Sequence, residues 1–259
     1  MMIAYLDSGA FDRLYRRDGC TAADVAGLRK SVYGRGLALA LSVHHLEEIV
    51  LSRRVAPQAL SAQIRFTLSL ASLRSLLKPS AELLNDEIRA YAASGAAGSP
   101  FLHGPLADAI SAGVAELIES DGEELGEELL GALDQARRAR PNLTRTIARA
   151  RASAASASDD SVVAAARALA ESVGALPECE RRGIAGLLGL RVVRMAASAA
   201  IDTTLAAPFT LDHAIAAAAR ADIFVSGDPR LRQLIERSSC AGLAVRDLPE
   251  FLAAAADFR

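Results

Sequence analysis

Short apolar runs of strand length mark both ends of the chain, and helical stripes fill the stretch between them. Met2–Leu6 is apolar and stops at Asp7. The pattern then turns helical over 9–17. Thr21 offers an N-cap with Asp24 at the third helical position, the spacing of a capping box. Residues 37–42 form a second strand-length run bounded by Gly34 and Gly36, and a helix starting near His44 carries Glu47 and Glu48. At the other end, Thr210 can cap a helix reaching Arg220, with Asp212 in its first turn. A third strand over 223–226 ends at Gly227 and Asp228. Pro229 opens another helix, where a proline is favoured. A fourth strand over 243–245 and a helix over 249–256 complete the pattern. Strands that alternate with helices predict a parallel sheet.

The middle of the chain, about 150 residues, shows almost no strand signal. Leu60, Ile64 and Leu68 recur every four residues, as do Leu125, Leu129 and Leu133. Val162, Ala166, Leu169 and Val173 form another helical stripe, as do Ile184, Leu188, Val192 and Met195. Breaks are expected at 78–80, 94–105, 140–142 and 153–160, where Pro, Gly or Ser accumulate. The Ala/Ser stretch at 153–158 reads as a loop. No internal repeat stands out.

Composition sharpens this reading. Of 259 residues, 55 are alanine, and 27 of the 29 basic residues are arginine, which favours helix. A formal net charge of −2 excludes a protein that grips polyanions with its whole surface. The apolar stretch over 183–201 carries Arg191 and Arg194, so no membrane span is expected. The N-terminus lacks a basic region before its apolar run, so no signal peptide is expected. Cys20, Cys179 and Cys240 are far apart, which suits a reducing, cytoplasmic setting and no zinc site.

Four acids sit where strands end or helices begin: Asp7, Glu48, Asp212 and Asp228. The carboxyl edge of a parallel sheet is where ligands bind, and acids at that edge converge despite their separation in sequence. Grouped carboxylates repel unless a cation neutralises them. Oxygen donors alone suit Mg²⁺ or Mn²⁺, which can polarise a phosphodiester and orient a water. Acids also cap helices, so each position has a purely structural reading as well.

The contexts of these acids resemble those of PIN-domain ribonucleases, a family that includes VapC-like nucleases. Tyr5-Leu6-Asp7-Ser8 looks like the opening strand, with its hydroxyl after the acid. The segments Ser42-Val43-His44-His45-Leu46-Glu47-Glu48-Ile49, Leu211-Asp212-His213-Ala214-Ile215 and Phe224-Val225-Ser226-Gly227-Asp228-Pro229 are similar to the later acidic motifs, and Leu248-Pro249-Glu250-Phe251 to the usual end. The resemblance covers roughly 1–53 and 206–259. It implies a three-layer α/β/α domain with a short parallel sheet, split by a large all-helical insertion over 54–205. It implies a metal-dependent endoribonuclease leaving a 5′-phosphate and a 3′-hydroxyl. Asp7, Glu48, Asp212 and Asp228 would hold Mg²⁺ or Mn²⁺, with Ser8 and Ser226 in support. An antitoxin or regulatory partner and a homodimer are further expectations.

Three departures accompany the resemblance. The second and third acids are 164 positions apart (212 − 48), far more than in compact members. Gly9 stands where an asparagine is common. Glu47 and Glu48 point about 100° apart on a helix, so one of them should face the site, and the motif register favours Glu48. His44, His45 and His213 read as packed, hydrogen-bonded histidines rather than ligands. Arg230 beside Asp228, and Arg138, Arg145 and Arg149 in an arginine-rich window over 137–151, are candidate RNA contacts. That window follows an acidic block over 116–128, so the two could equally face each other. Two rival functions remain. A catalytically silent PIN-like scaffold would bind RNA or protein. A haloacid-dehalogenase-type phosphatase would need an acid at position 9, which is Gly9.

Overall fold

The computed structural model describes residues 1–51, 57–122, 126–156, 161–202, 208–240 and 242–255. Five parallel strands form one sheet: β1 (Met2–Leu6), β2 (Leu37–Ser42), β3 (Ala71–Leu77), β4 (Ile223–Val225) and β5 (Ala244–Arg246), in the order β3-β2-β1-β4-β5. Helices cover both faces, as a parallel sheet requires. Between β1 and β2 lie α1 (Ser8–Arg16) and α2 (Ala22–Tyr33); α3 (Val43–Leu51) and α4 (Pro57–Leu68) lead to β3. After β3 come α5 (Ser80–Ser94), α6 (Pro105–Glu119), α7 (Glu127–Ser156), α8 (Ser161–Ser172), α9 (Leu176–Arg182), α10 (Ile184–Gly189), α11 (Arg191–Ile201) and α12 (Pro208–Arg220). Helix α13 (Pro229–Arg237) joins β4 to β5, and α14 (Leu248–Ala255) follows.

The two-residue period of the strands divides the core. Ile3, Tyr5, Ala40 and Phe224 point to one face, packed by α5, α8, α11 and α12. Ala4, Leu6, Leu39, Leu41, Ile223 and Val225 point to the other, packed by α1 to α4, α6 and α14. Alanine abundance has a use here. Ala165, Ala166, Ala196, Ala197, Ala200, Ala214, Ala217 and Ala218 are fully buried, and small side chains let these helices approach closely.

The middle of the chain differs from its sequence reading in four ways. Residues 71–77 form an edge strand in what reads as a helical insertion, pairing with β2 through Leu39–Ala71, Leu41–Leu76 and Ser42–Leu77. The segment after α5 covers that edge: Leu102 N–H donates to the Leu76 carbonyl (2.8 Å). The expected break at 140–142 is absent, since α7 runs through Pro141. Leu129, Leu133 and Ala136 of its first half enter one core, and Leu143, Ile147 and Ala150 of its second half enter the other. Packing on both sides holds a helix that local propensity would break. Helix α7 also continues through 153–156, where a loop is expected; 157–160 lie outside the described residues. Finally, the stripe from Ile184 to Met195 is two helices, α10 and α11, separated at Leu190. The helical middle has no core to itself, for both apolar clusters mix residues from 54–205 with those of the two ends.

The local signals at the chain's ends translate in part. Thr21 and Asp24 form the capping box. Helix α12 begins at Pro208, so Thr210 lies inside it rather than capping it. Among the described residues no helix is long and apolar enough to cross a membrane.

Candidate functional site

The carboxyl edge of the sheet collects the polar residues of the molecule's interior. Asp7 and Ser8 follow β1; Ser42, His44, His45, Glu47 and Glu48 lie at the end of β2 and in α3; Ser80 follows β3; Ser226 and Asp228 follow β4. Helix α12 runs back across the sheet and so brings Asp212 and His213, near its start, to the same edge. All but Ser8, Glu48 and Asp228 are buried. They form two connected groups.

The first group surrounds His213. Asp7 is the N-cap of α1: its Oδ1 accepts Ala10 N–H (2.7 Å), and its Oδ2 accepts the Ser226 hydroxyl. Burial raises the Asp7 carboxyl above its usual range, against the pull of these hydrogen bonds. His213 Nε2 lies 3.2 Å from both Glu48 Oε2 and Ser8 Oγ, and its Nδ1 lies 2.6 Å from the Tyr5 hydroxyl. Burial disfavours a charged His213, but the hydrogen bond and charge of Glu48 outweigh it and raise its pKa. Reciprocally, burial opposes ionisation of Glu48, yet His213 and Ser8 bring its carboxyl down to about 2. Each partner of the pair thus favours the charged form of the other.

Behind it runs a relay of hydrogen bonds. Tyr5 Oη lies 2.8 Å from Ser42 Oγ. Ser42 N–H donates to His45 Nδ1 (3.0 Å), which leaves the His45 proton on Nε2, where it donates to the Leu6 carbonyl (2.6 Å). Burial, with the charge of His213, pushes the His45 pKa down to about 3, so this ring stays neutral.

The second group is centred on Arg140 of α7. Its Nε donates to Asp212 Oδ2 and its Nη2 to Glu47 Oε2, both at 2.6 Å. Ser80 Oγ donates to the other Asp212 oxygen. Ser80 N–H donates to His44 Nε2 (3.0 Å), which leaves the His44 proton on Nδ1, 3.3 Å from Glu47 Oε2. Glu47 Oε1 is buried and has no hydrogen-bond partner among the described residues.

A cleft of about 290 Å³ opens beside the first group, lined by Ser8, Gly9, Phe11, Asp12, Arg16, His45, Glu48, Ile49 and Gln63. Of the four acids singled out in the sequence, Glu48 lines this cleft and Asp7 adjoins it through Ser8 and Gly9. Asp212 faces Arg140 instead. Asp228 is partly exposed and caps α13, accepting Arg230 N–H (2.8 Å), while its own N–H donates to Ser226 Oγ (3.0 Å).

Comparison with family models, curated proteins and solved structures gives no match. The site is therefore read from its own geometry.

Oxygen-rich donors and an unpartnered buried carboxylate oxygen fit the chemistry of a hard divalent cation. In the present arrangement the acids are divided between His213 and Arg140, and among the described residues no three His, Cys, Asp or Glu side chains are grouped to hold an ion.

Glu47 and Glu48 point different ways, as their separation of about 100° on the helix requires. Glu48 faces the cleft, and Glu47 turns inward to Arg140. Sequence reasoning assigned no role to Tyr5, Ser42 or Ser80, although Tyr5 and Ser42 fall within the segments that carry the resemblance. It placed Arg140 in an RNA-facing window. That window disperses: Arg137 and Arg138 pair with Asp134, Arg151 donates to the carbonyls of Ala199, Ala200 and Asp202, and Arg145 and Arg149 are exposed. The acidic block likewise has another partner, since Asp121 pairs with Arg65. Arg230 is exposed.

Proposed function

We propose that the protein is a metal-dependent endoribonuclease whose active centre lies at the carboxyl edge of the sheet, around Asp7 and Glu48. The observation that carries this reading is the convergence of acidic segments from β1, α3, α12 and the β4–α13 turn at one edge, beside an open cleft. The order and contexts of these segments, which resemble those of PIN-domain nucleases, support it.

Asp7 and Glu48 would hold the cation. Mg²⁺ or Mn²⁺, when bound, would polarise a phosphodiester and acidify an attacking water. The chain's own part is to prepare the carboxylates. Ala10 N–H and the Ser226 hydroxyl fix both oxygens of Asp7. His213 keeps Glu48 ionised. The Tyr5–Ser42–His45 relay holds the His213 ring in place, ending on the Leu6 carbonyl. Arg145 and Arg149, exposed on α7, are available to phosphates of a single-stranded or structured RNA.

The test incubates wild type and Asp7→Asn with a mixed RNA pool, with and without Mn²⁺. Cleavage by wild type that requires Mn²⁺ and vanishes in Asp7→Asn is expected. Cleavage unchanged in the variant overturns the mechanism, and phosphate release from phosphomonoesters with RNA intact points to a phosphatase. A second reading has one observation in its favour: Arg140 already occupies Glu47 and Asp212, as in a catalytically silent scaffold. Absence of cleavage with either metal, together with tight binding of RNA or protein, would favour it.

A further inference from the structure

We propose that the cleft between α1, α3 and α4 seats one unpaired nucleobase bearing an exocyclic amino group, adenine or cytosine, and that Gln63 reads its edge. The subsite rests on the nuclease activity proposed for this edge of the sheet and names its substrate: single-stranded RNA with such a base next to the scissile phosphate.

The walls of the cleft suit a base. Phe11 of α1 and Ile49 of α3 line it, which gives a flat ring apolar surface to rest on. Gly9, also on the wall, brings no side chain. A volume of about 290 Å³ is at the small end of ligand pockets, room for one base and too little for a duplex. Proteins that read RNA sequence do so mostly on unpaired bases splayed out in this way. Ser8 and Glu48 line the same cleft, so a base seated there belongs to a nucleotide whose phosphate lies beside Glu48.

Two polar groups of the cleft are left for a ligand. Gln63 of α4 is half-buried, and among the described residues its carboxamide has no hydrogen-bond partner. It offers an acceptor oxygen beside two donor hydrogens. Asp12 gives Oδ1 to Arg16 Nε (2.9 Å), and its Oδ2 has no partner among the described residues. An ionised carboxylate only accepts. An amino base answers both groups. Adenine N6 or cytosine N4 donates to Asp12 and to the Gln63 oxygen, and the ring nitrogen beside it accepts from the Gln63 amide. Uracil and guanine place a carbonyl oxygen where that amino group would be, against the Asp12 carboxylate. His45 does not read the base, since its ring nitrogens are engaged by Ser42 N–H and the Leu6 carbonyl. Gln63 lies outside 1–53 and 206–259, and the packing of α4 against α1 puts it on the cleft.

Binding of end-labelled hexaadenylate, hexacytidylate and hexauridylate by the full chain in EDTA, read by fluorescence anisotropy, tests the subsite without cleavage. Wild type should bind the adenosine and cytidine hexamers about fivefold or more tightly than the uridine hexamer. Gln63→Ala and Gln63→Met, the latter keeping the length of the side chain, should both lose this preference. Asp12→Asn, which adds a donor, should bring uridine binding up toward the other two. Equal binding of the three hexamers by wild type, no binding of any, or a preference that survives both Gln63 variants overturns the proposal. Cleavage in Mn²⁺ is scored separately. Cleavage of RNA by a protein that does not discriminate the hexamers overturns the subsite alone. Discrimination lost in the Gln63 variants, with no cleavage by wild type, upholds the subsite and overturns the nuclease reading.

Discussion

At the scale of single residues, burial decides which side chains do chemistry and which hold the fold. Glu87 of α5 shows the structural case. It is buried away from the carboxyl edge, and its Oε2 accepts Val193 N–H at the start of α11 (2.9 Å). Burial raises its pKa to about 7, against the pull of the Val193 and Val192 N–H groups and Arg191. The unfolded chain titrates Glu near 4.3. The folded state therefore binds more protons between about pH 4.3 and 7, and stability falls as pH rises through that window. Glu87→Gln keeps an acceptor for Val193 and removes the charge. It should exceed wild type in stability above pH 7, by up to about 3 kcal/mol, and the difference should vanish below about pH 4. Denaturant midpoints measured across pH check this. The four acids were legible in the sequence because each follows a strand or opens a helix. Glu87 and Arg140 were not, because nothing local marks a residue whose partner is about a hundred positions away.

At the scale of elements, close approach of helices sets what the sequence tolerates. Gly113 of α6 faces α7 so tightly that a β-carbon would overlap the Leu129 side chain and come within 3.1 Å of its Cα. Gly113→Ala should cost about 1–3 kcal/mol, seen as a lower denaturant midpoint with an unchanged slope. Gly186 is similar, since a β-carbon there would meet the Tyr91 hydroxyl, which donates to the Gly183 carbonyl (2.6 Å). Close helix packing therefore accounts for Gly186. Strand β3 was not legible. Its residues, Ala-Ser-Leu-Arg-Ser-Leu-Leu, lack the β-branched and aromatic types that favour strands. Pairing with β2 makes it a strand. Helix α7 errs in the opposite direction: Pro141 predicts a break, and burial of apolar residues on both sides of it overrides the prediction.

At the scale of the whole molecule, both cores draw on the ends and the middle of the chain. The sheet buries Leu76 on one face and Leu77 on the other, and α7 contributes to both cores. Calorimetric unfolding should therefore show one cooperative transition; two resolved transitions would separate the helical middle from the sheet. The sequence by itself determined the parallel α/β character of the two ends, the helical middle and the acids at the strand ends. These follow from local periodicity and from residues that stop strands or cap helices. Only the tertiary structure decided that 71–77 joins the sheet, that the middle shares both cores, and that an arginine from it sits between Glu47 and Asp212. Such pairings are chosen by which surfaces and charges meet when the chain is compact, and local pattern carries no record of partners so distant in sequence.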